Sequence, residues 1–162
     1  MPTIRVQQAA FDPGAEIALL LAGRTDIGGI GCFIGTVRGT AQDRPIEAMT
    51  LEHYPGMTER ALQRIADDAA ARWQLLACTV IHRTGRLNPG ESIVLVLTAG
   101  PHRQAALDST AFLIDWLKTN APFWKQEHFA TGETTWVEAK ESDTQAANRW
   151  PSAPSTSGMR QE

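Results

Sequence analysis

Leu117-Lys118-Thr119-Asn120-Ala121-Pro122-Phe123-Trp124-Lys125-Gln126-Glu127 joins two kinds of structure that together set the fold class. Upstream, Leu107, Ala111, Ile114 and Leu117 recur at helical spacing, which predicts a helix over Gln104 to Thr119. Lys118 falls in its last turn, where a cation suits the negative end of the helix dipole. Pro122 disfavours helix at Ala121 and starts a new element. Beyond it, Phe123 to Phe129 and Thr134 to Ala139 predict a hairpin across Thr131-Gly132. A helix that gives way to antiparallel strands departs from the strict βαβα alternation of a doubly wound sheet, so the expected class is α+β.

The rest of the chain agrees with that class. Leu76 to His82 and Ser92 to Ala99 read as strands separated by the turn signal Asn88-Pro89-Gly90. Met57, Ala61, Ile65, Ala69 and Trp73 trace the apolar stripe of a helix. Ile46 to His53 alternates, with Ile46, Ala48, Thr50 and Glu52 on one face and Glu47, Met49, Leu51 and His53 on the other. Gly28-Gly29 opens a glycine-rich strand, Ile30 to Val37, followed by Arg38 and a polar loop from Gly39 to Pro45. Thr3 to Gln8 reads as a strand. Asp12-Pro13 pairs an N-cap with a proline at the first position of a helix that buries Ile17, Leu20 and Leu21 and stops at Gly23. Ser142-Asp143-Thr144-Gln145 fits a capping box and starts a short helix. After Trp150 the composition turns to Pro, Ser, Ala and Gly, so residues 1–150 are expected to form one domain and 151–162 a disordered tail.

Composition narrows the function classes. With 162 residues, 43% of them hydrophobic and 20% charged, the chain is long enough to bury a real core as an ordinary globular domain. A formal charge of -3 and a pI near 5.8 provide no basic field for nucleic acid, so any anion site must be local. Met1 to Gln8 lacks the start of a signal peptide and no apolar run approaches a membrane span, which predicts a cytoplasmic protein with no membrane partner. Cys32 and Cys78 stand alone without a CxxC pair and are expected to be buried thiols in a reducing compartment. The histidines form no HxH or HExxH spacing, so no metal is expected. Neither a GxSxG motif nor a phosphate-binding GxxxxGK[ST] motif occurs.

What remains is a set of cations at the ends of elements. Lys125, flanked by large aromatics, is placed for desolvation to lower its pKa. Arg38 follows a strand, and His102-Arg103 stand where free N–H groups at a helix N-terminus attract anions. With Lys118 and Lys125 they would form a phosphate or carboxylate pocket if they converge; taken singly, each also reads as a solvated surface residue. His53 and the His82-Arg83 pair read as core or strand-edge residues. Spacing thus reaches an anion pocket with reactive lysines and does not reach a reaction.

Several strings are more specific: Gly35-Thr36-Val37-Arg38, Leu51-Glu52-His53-Tyr54-Pro55-Gly56-Met57, Val80-Ile81-His82-Arg83 with Gly85, Pro101-His102-Arg103, Leu117-Lys118-Thr119, Ala121-Pro122-Phe123-Trp124-Lys125 and Trp136-Val137-Glu138-Ala139. In this order, from about Ile30 to Trp150, they resemble the large, catalytic subunit of molybdopterin synthase, the MoaE family. The resemblance implies an α/β-hammerhead fold with an additional antiparallel β-sheet. It also implies a sulfurtransferase of molybdenum cofactor biosynthesis that needs no cofactor of its own. Such an enzyme converts cyclic pyranopterin monophosphate to molybdopterin, taking sulfur from the thiocarboxylated C-terminal Gly-Gly of a small ubiquitin-like partner subunit. Its large subunits form a homodimer within a heterotetramer.

By motif, the resemblance makes Lys118 and Lys125 the catalytic residues, with Lys118 closest to the chemistry and Lys125 orienting and neutralising charge. Thr36, Val37, Arg38, His102, Arg103, Gln126 and Glu127 join them in substrate binding. Both ligands are anionic, which suits arginine's bidentate fork. Thr36, Gly39 and Gln126 depart from the residues common in the family, which weakens contacts near Arg38 and Lys125. Two rival readings are a scaffold that docks a ubiquitin-like partner without chemistry and a Schiff-base enzyme acting on a phosphorylated substrate.

Overall fold

Asp12 starts the first helix as its chemistry requires: the carboxylate accepts from the Ala15 N–H at 3.2 Å, and Pro13 occupies the first turn. A computed structural model describes residues 1–137 and 141–151 of the chain. Its elements are β1 (Thr3–Gln7), α1 (Pro13–Leu21), β2 (Gly29–Thr36), β3 (Thr40–Ala41), β4 (Arg44–His53), α2 (Met57–Trp73), β5 (Ala77–Arg83), β6 (Gly85–Leu87), β7 (Ser92–Gly100), α3 (Arg103–Thr119), β8 (Phe123–Phe129), β9 (Thr134–Trp136) and α4 (Glu141–Asn148). Glu138 and Ala139 of the expected last strand, and residues 152–162 of the expected tail, lie outside the described residues.

Two sheets carry the fold. The first has the order β1-β5-β7-β2, with β1 parallel to β5 and the other pairs antiparallel. Alternation along its strands sends residues to both faces. Cys78, Val80, Val94 and Val96 join α2 and α3 in the larger core, whereas Ile81, Leu95 and Leu97 meet Phe11, Ile17 and Leu20 around α1. The second sheet runs β3-β4-β8-β9, with β6 pairing β4 as well. Mixed pairing with helices on the faces makes the fold α+β, as the junction at Pro122 predicts.

Four details differ from the sequence reading. The loop from Gly39 to Pro45 is a tight hairpin, in which β3 pairs β4 through Gln42 and Asp43 at φ 51° and 58°; two left-handed residues match the strand twist without the usual Asn-Gly. β4 does not alternate cleanly: burial passes from Ile46 and Ala48 to Leu51, and separately its pairing with β8 shifts register between Ile46 and Ala48. The buried face of α2 holds Thr58, Leu62, Ala66 and Ala69, offset from the expected stripe, and Met57 is exposed. Leu21 and Cys32 are also exposed, the latter because it lies on the edge strand β2 with its side chain on the face opposite α3.

Gly31 shows why β2 carries glycine. A Cβ there would collide with Thr110 Oγ1, the Ala106 carbonyl and Thr98 Oγ1. Those groups form a buried network, in which the Thr98 hydroxyl donates to Ala106 O at 2.7 Å and lies 2.8 Å from Thr110 Oγ1, fastening α3 to the sheet. Gly31→Ala is therefore expected to destabilise the fold by about 3 kcal/mol, the upper end for overpacking. Urea unfolding would measure it, and a loss below about 0.5 kcal/mol, the range of a neutral surface change, would mean the helix does not sit this close.

Candidate functional site

The break at Pro122 is clamped by the first turn of α2. Thr58, fully buried, accepts from the Tyr54 N–H through Oγ1 at 3.1 Å and donates to the Pro122 carbonyl at 3.2 Å. Gly56, at φ 83°, lets its N–H reach Glu59 Oε2 at 2.6 Å, and Glu59 Oε1 lies 3.3 Å from His53 Nε2. β4 and β8 then pair His53 with Phe123 and Leu51 with Lys125, so the two most specific strings of the sequence meet here. Tyr54 packs edge-on to Trp124 at 4.2 Å.

This clamp brings the two lysines together. Lys118, exposed in the last turn of α3, and Lys125, half-buried on β8, line one small cavity with Gly35, Thr36, His82 and Leu117. At the adjoining end of β2, the pairing with β7 slips between Gly35 and Thr36, a bulge that disturbs the strand beside the cavity. Desolvation, helped by the Lys118 charge and opposed by Asp143 of α4, lowers the Lys125 pKa to about 8. A substantial fraction of its amine is therefore neutral near physiological pH.

His82 is the residue that sequence reasoning undervalued. It is 4% exposed, and burial pushes its pKa down to about 3, so it is neutral. Its ring stacks on Phe123 at 3.7 Å, with His53 on the same phenyl ring at 6.3 Å. The reading of His82 as a buried strand residue holds, yet it also walls the lysine cavity. The signal was its place near the end of β5, level with the strand end of β2.

The other predicted residues are distributed unevenly. Arg38 is exposed just beyond β2, on the side of Thr36, and makes no ion pair among the described residues. Val37 is 3% exposed in the core, and its N–H and C=O bond to Glu91 O and Gly90 N. Glu127 shares the face of Lys125 and has one carboxylate oxygen buried without a partner among the described residues. Gln126 points to the opposite face of β8 by strand alternation. His102 and Arg103 are exposed at the far end of α3. Fifteen residues of helical rise put Arg103 about 22 Å from Lys118, so within one chain they do not join the lysine cavity.

Comparison with known proteins gives a consistent result. The family model described as MoaE protein matches residues 6–120. A protein of Mesorhizobium japonicum named molybdopterin synthase catalytic subunit is 53% identical over 153 residues, covering 94% of this chain and 95% of that one. A Pseudomonas aeruginosa protein of the same name is 54% identical over 147 residues, covering 91% and 97%. Among solved structures, a molybdopterin biosynthesis MoaE protein from Burkholderia ambifaria superposes with a TM-score of 0.79 at 47% identity, covering 93% of this chain and 98% of that one.

Proposed function

The chain belongs to the MoaE family, and on that footing we propose that its two-lysine cavity is the reactive site of molybdopterin synthase. The activity is sulfur transfer in molybdenum cofactor biosynthesis: sulfur passes from the C-terminal thiocarboxylate of a small ubiquitin-like subunit to cyclic pyranopterin monophosphate, forming the dithiolene. The relatives' name, catalytic subunit, supports this division of labour. The assembly proposed with it is the one the family resemblance implies, a homodimer of large subunits within a heterotetramer. Two free thiols and no membrane-length apolar helix among the described residues fit a cytoplasmic setting.

The observation that carries the reading is the pair of amines at one cavity, one of them partly neutral. A phosphorylated pterin and a thiocarboxylate are both anions and repel each other; the Lys118 ammonium, with Lys125 in its protonated fraction, offsets that repulsion. Lys118, exposed at the end of α3, is the group an incoming tail meets first, and it assists attack at the acyl carbon or the precursor. Lys125 is the amine that accepts a proton near neutral pH, because its neutral form is already populated. Thr36 and Glu127 stand beside this pair, and Arg38 supplies a phosphate contact at the outer end of β2.

His102 and Arg103 enter from the second copy of the chain. They lie at the start of β2 and Arg38 at its end, so an antiparallel approach of two copies brings one copy's Arg103 toward the other's Thr36. The exposed edge strand, with Cys32 and Ile34, and the exposed Leu107 on α3 provide a surface for this approach.

The pH dependence tests the role of Lys125. Because its pKa is lowered, the neutral amine is scarce at low pH and grows tenfold per unit until about 8. The single-turnover rate is therefore expected to rise from about pH 6 and level off above about 8, and Lys125→Arg to lose that limb. A flat wild-type profile would remove Lys125 as the proton acceptor.

A further inference from the structure

The lysine cavity is lined by two amines, whose protonated forms donate and cannot accept, and by one ring that does the reverse. His82 Nδ1 lies 2.9 Å from the Arg83 carbonyl. A carbonyl only accepts, so Nδ1 carries the proton and Nε2 keeps its lone pair. No hydrogen bond to Nε2 is formed among the described residues and the atom is not sealed from the cavity, since it is absent from the fully buried unpartnered atoms, while the ring is held flat on Phe123, at an interplanar angle of 15°. The unfavourable energy of charging this buried imidazole keeps it an acceptor at any working pH. It is a poor base and a permanent hydrogen-bond acceptor.

We propose that His82 is a substrate-binding residue that accepts a hydrogen bond at Nε2 from the backbone N–H of the last residue of the tail entering the cavity. The cavity is small, about 40 Å³, which favours a chain end that carries no side chain. At the end of any peptide an anionic group and an N–H stand a fixed distance apart on one residue. Two ammonium groups beside one neutral acceptor read that pair together. A glycine terminus fits the small space, and its N–H is otherwise left unpaired in a desolvated site. Thr36, whose hydroxyl rotates freely, lacks the fixed direction that stacking gives His82.

The inference rests on the proposed reading of this cavity as the tail's site, and the test separates the two. Semisynthetic partner subunits ending in Gly-Gly or in Gly-sarcosine, the latter lacking the final N–H, are titrated onto the full-length chain. Wild-type chain is expected to bind the sarcosine form at least about tenfold more weakly, as for an acceptor left unpaired. In His82→Phe, which keeps the stack and loses the acceptor, the two tails should bind alike apart from the methyl's bulk; in His82→Gln, which restores an acceptor, discrimination should return. Equal discrimination by wild type and His82→Phe would overturn the role of His82 while leaving the site intact. Failure of the Gly-Gly subunit to bind at all would overturn the site and this inference with it. Should His82→Phe not fold, a long-range proton–nitrogen spectrum of the wild-type ring decides: a proton on Nε2 instead of Nδ1 contradicts the proposal.

Discussion

Lys118→Ala is expected to lower the rate of dithiolene formation by about a thousandfold, within the range for loss of a group that handles protons or attacks covalently. The side chain is exposed at the end of α3 and makes no hydrogen bond or ion pair among the described residues, so stability should change by less than about 0.5 kcal/mol. Lys125→Ala should cost less in rate, about a hundredfold, and abolish the rise toward pH 8 as well. The two effects have different origins. Lys118 meets the ligand from the mouth, whereas Lys125 has its proton affinity set by burial and by Lys118 itself. Removal of Lys118 takes away a cation that depresses Lys125, so in the variant the residual pH limb should move upward. Activity of Lys118→Ala within about threefold of wild type would leave only charge attraction for that lysine.

Intersubunit complementation is expected to be the second large effect. Arg103→Ala should lose ten- to a hundredfold, about the value of a charged hydrogen bond to a phosphate or carboxylate. If Arg103 acts on the cavity of the second copy, mixing Arg103→Ala with Lys118→Ala chains restores activity, since each mixed dimer carries one site with both residues intact. Random exchange of subunits predicts recovery to about a quarter of the wild-type rate, because half the dimers are mixed and each has one working site. If both residues served one chain's site, no combination would rebuild it and the mixture would show no more than the residual activity of the separate variants. The 17-residue length of α3 separates these outcomes in advance.

Much of the local structure was legible in the residues. The break at Pro122, the strand Phe123–Phe129, the Asp12-Pro13 helix start and the Asn88-Pro89-Gly90 turn each follow from one residue's backbone chemistry. Less was legible where the outcome depends on neighbours. β6 is three residues long and exists only because β4 is there to pair with it. The hairpin through Gln42 and Asp43 uses two residues that tolerate positive φ without announcing it. Cys32 is apolar in context and exposed because it lies on an edge strand with its side chain on the face opposite α3, which is a property of sheet order and packing rather than of the strand.

The candidate site was legible in the same measure. Lys118 and Lys125 flank a break of a few residues, so their proximity follows from local geometry. His102-Arg103 are bound to Lys118 by a rigid helix, and the helix that makes them sequence neighbours of the site also holds them about 22 Å away. His82 was harder, since a strand histidine acquires meaning only when the facing β8 brings Phe123 against its ring.

The purified chain is mixed with cyclic pyranopterin monophosphate and the thiocarboxylated small subunit, and dithiolene product is measured against thiocarboxylate consumed. The prediction is molybdopterin formed only when all three are present, with two small subunits spent per product, one for each sulfur of the dithiolene. Absence of dithiolene, or its formation without the small subunit, would contradict it.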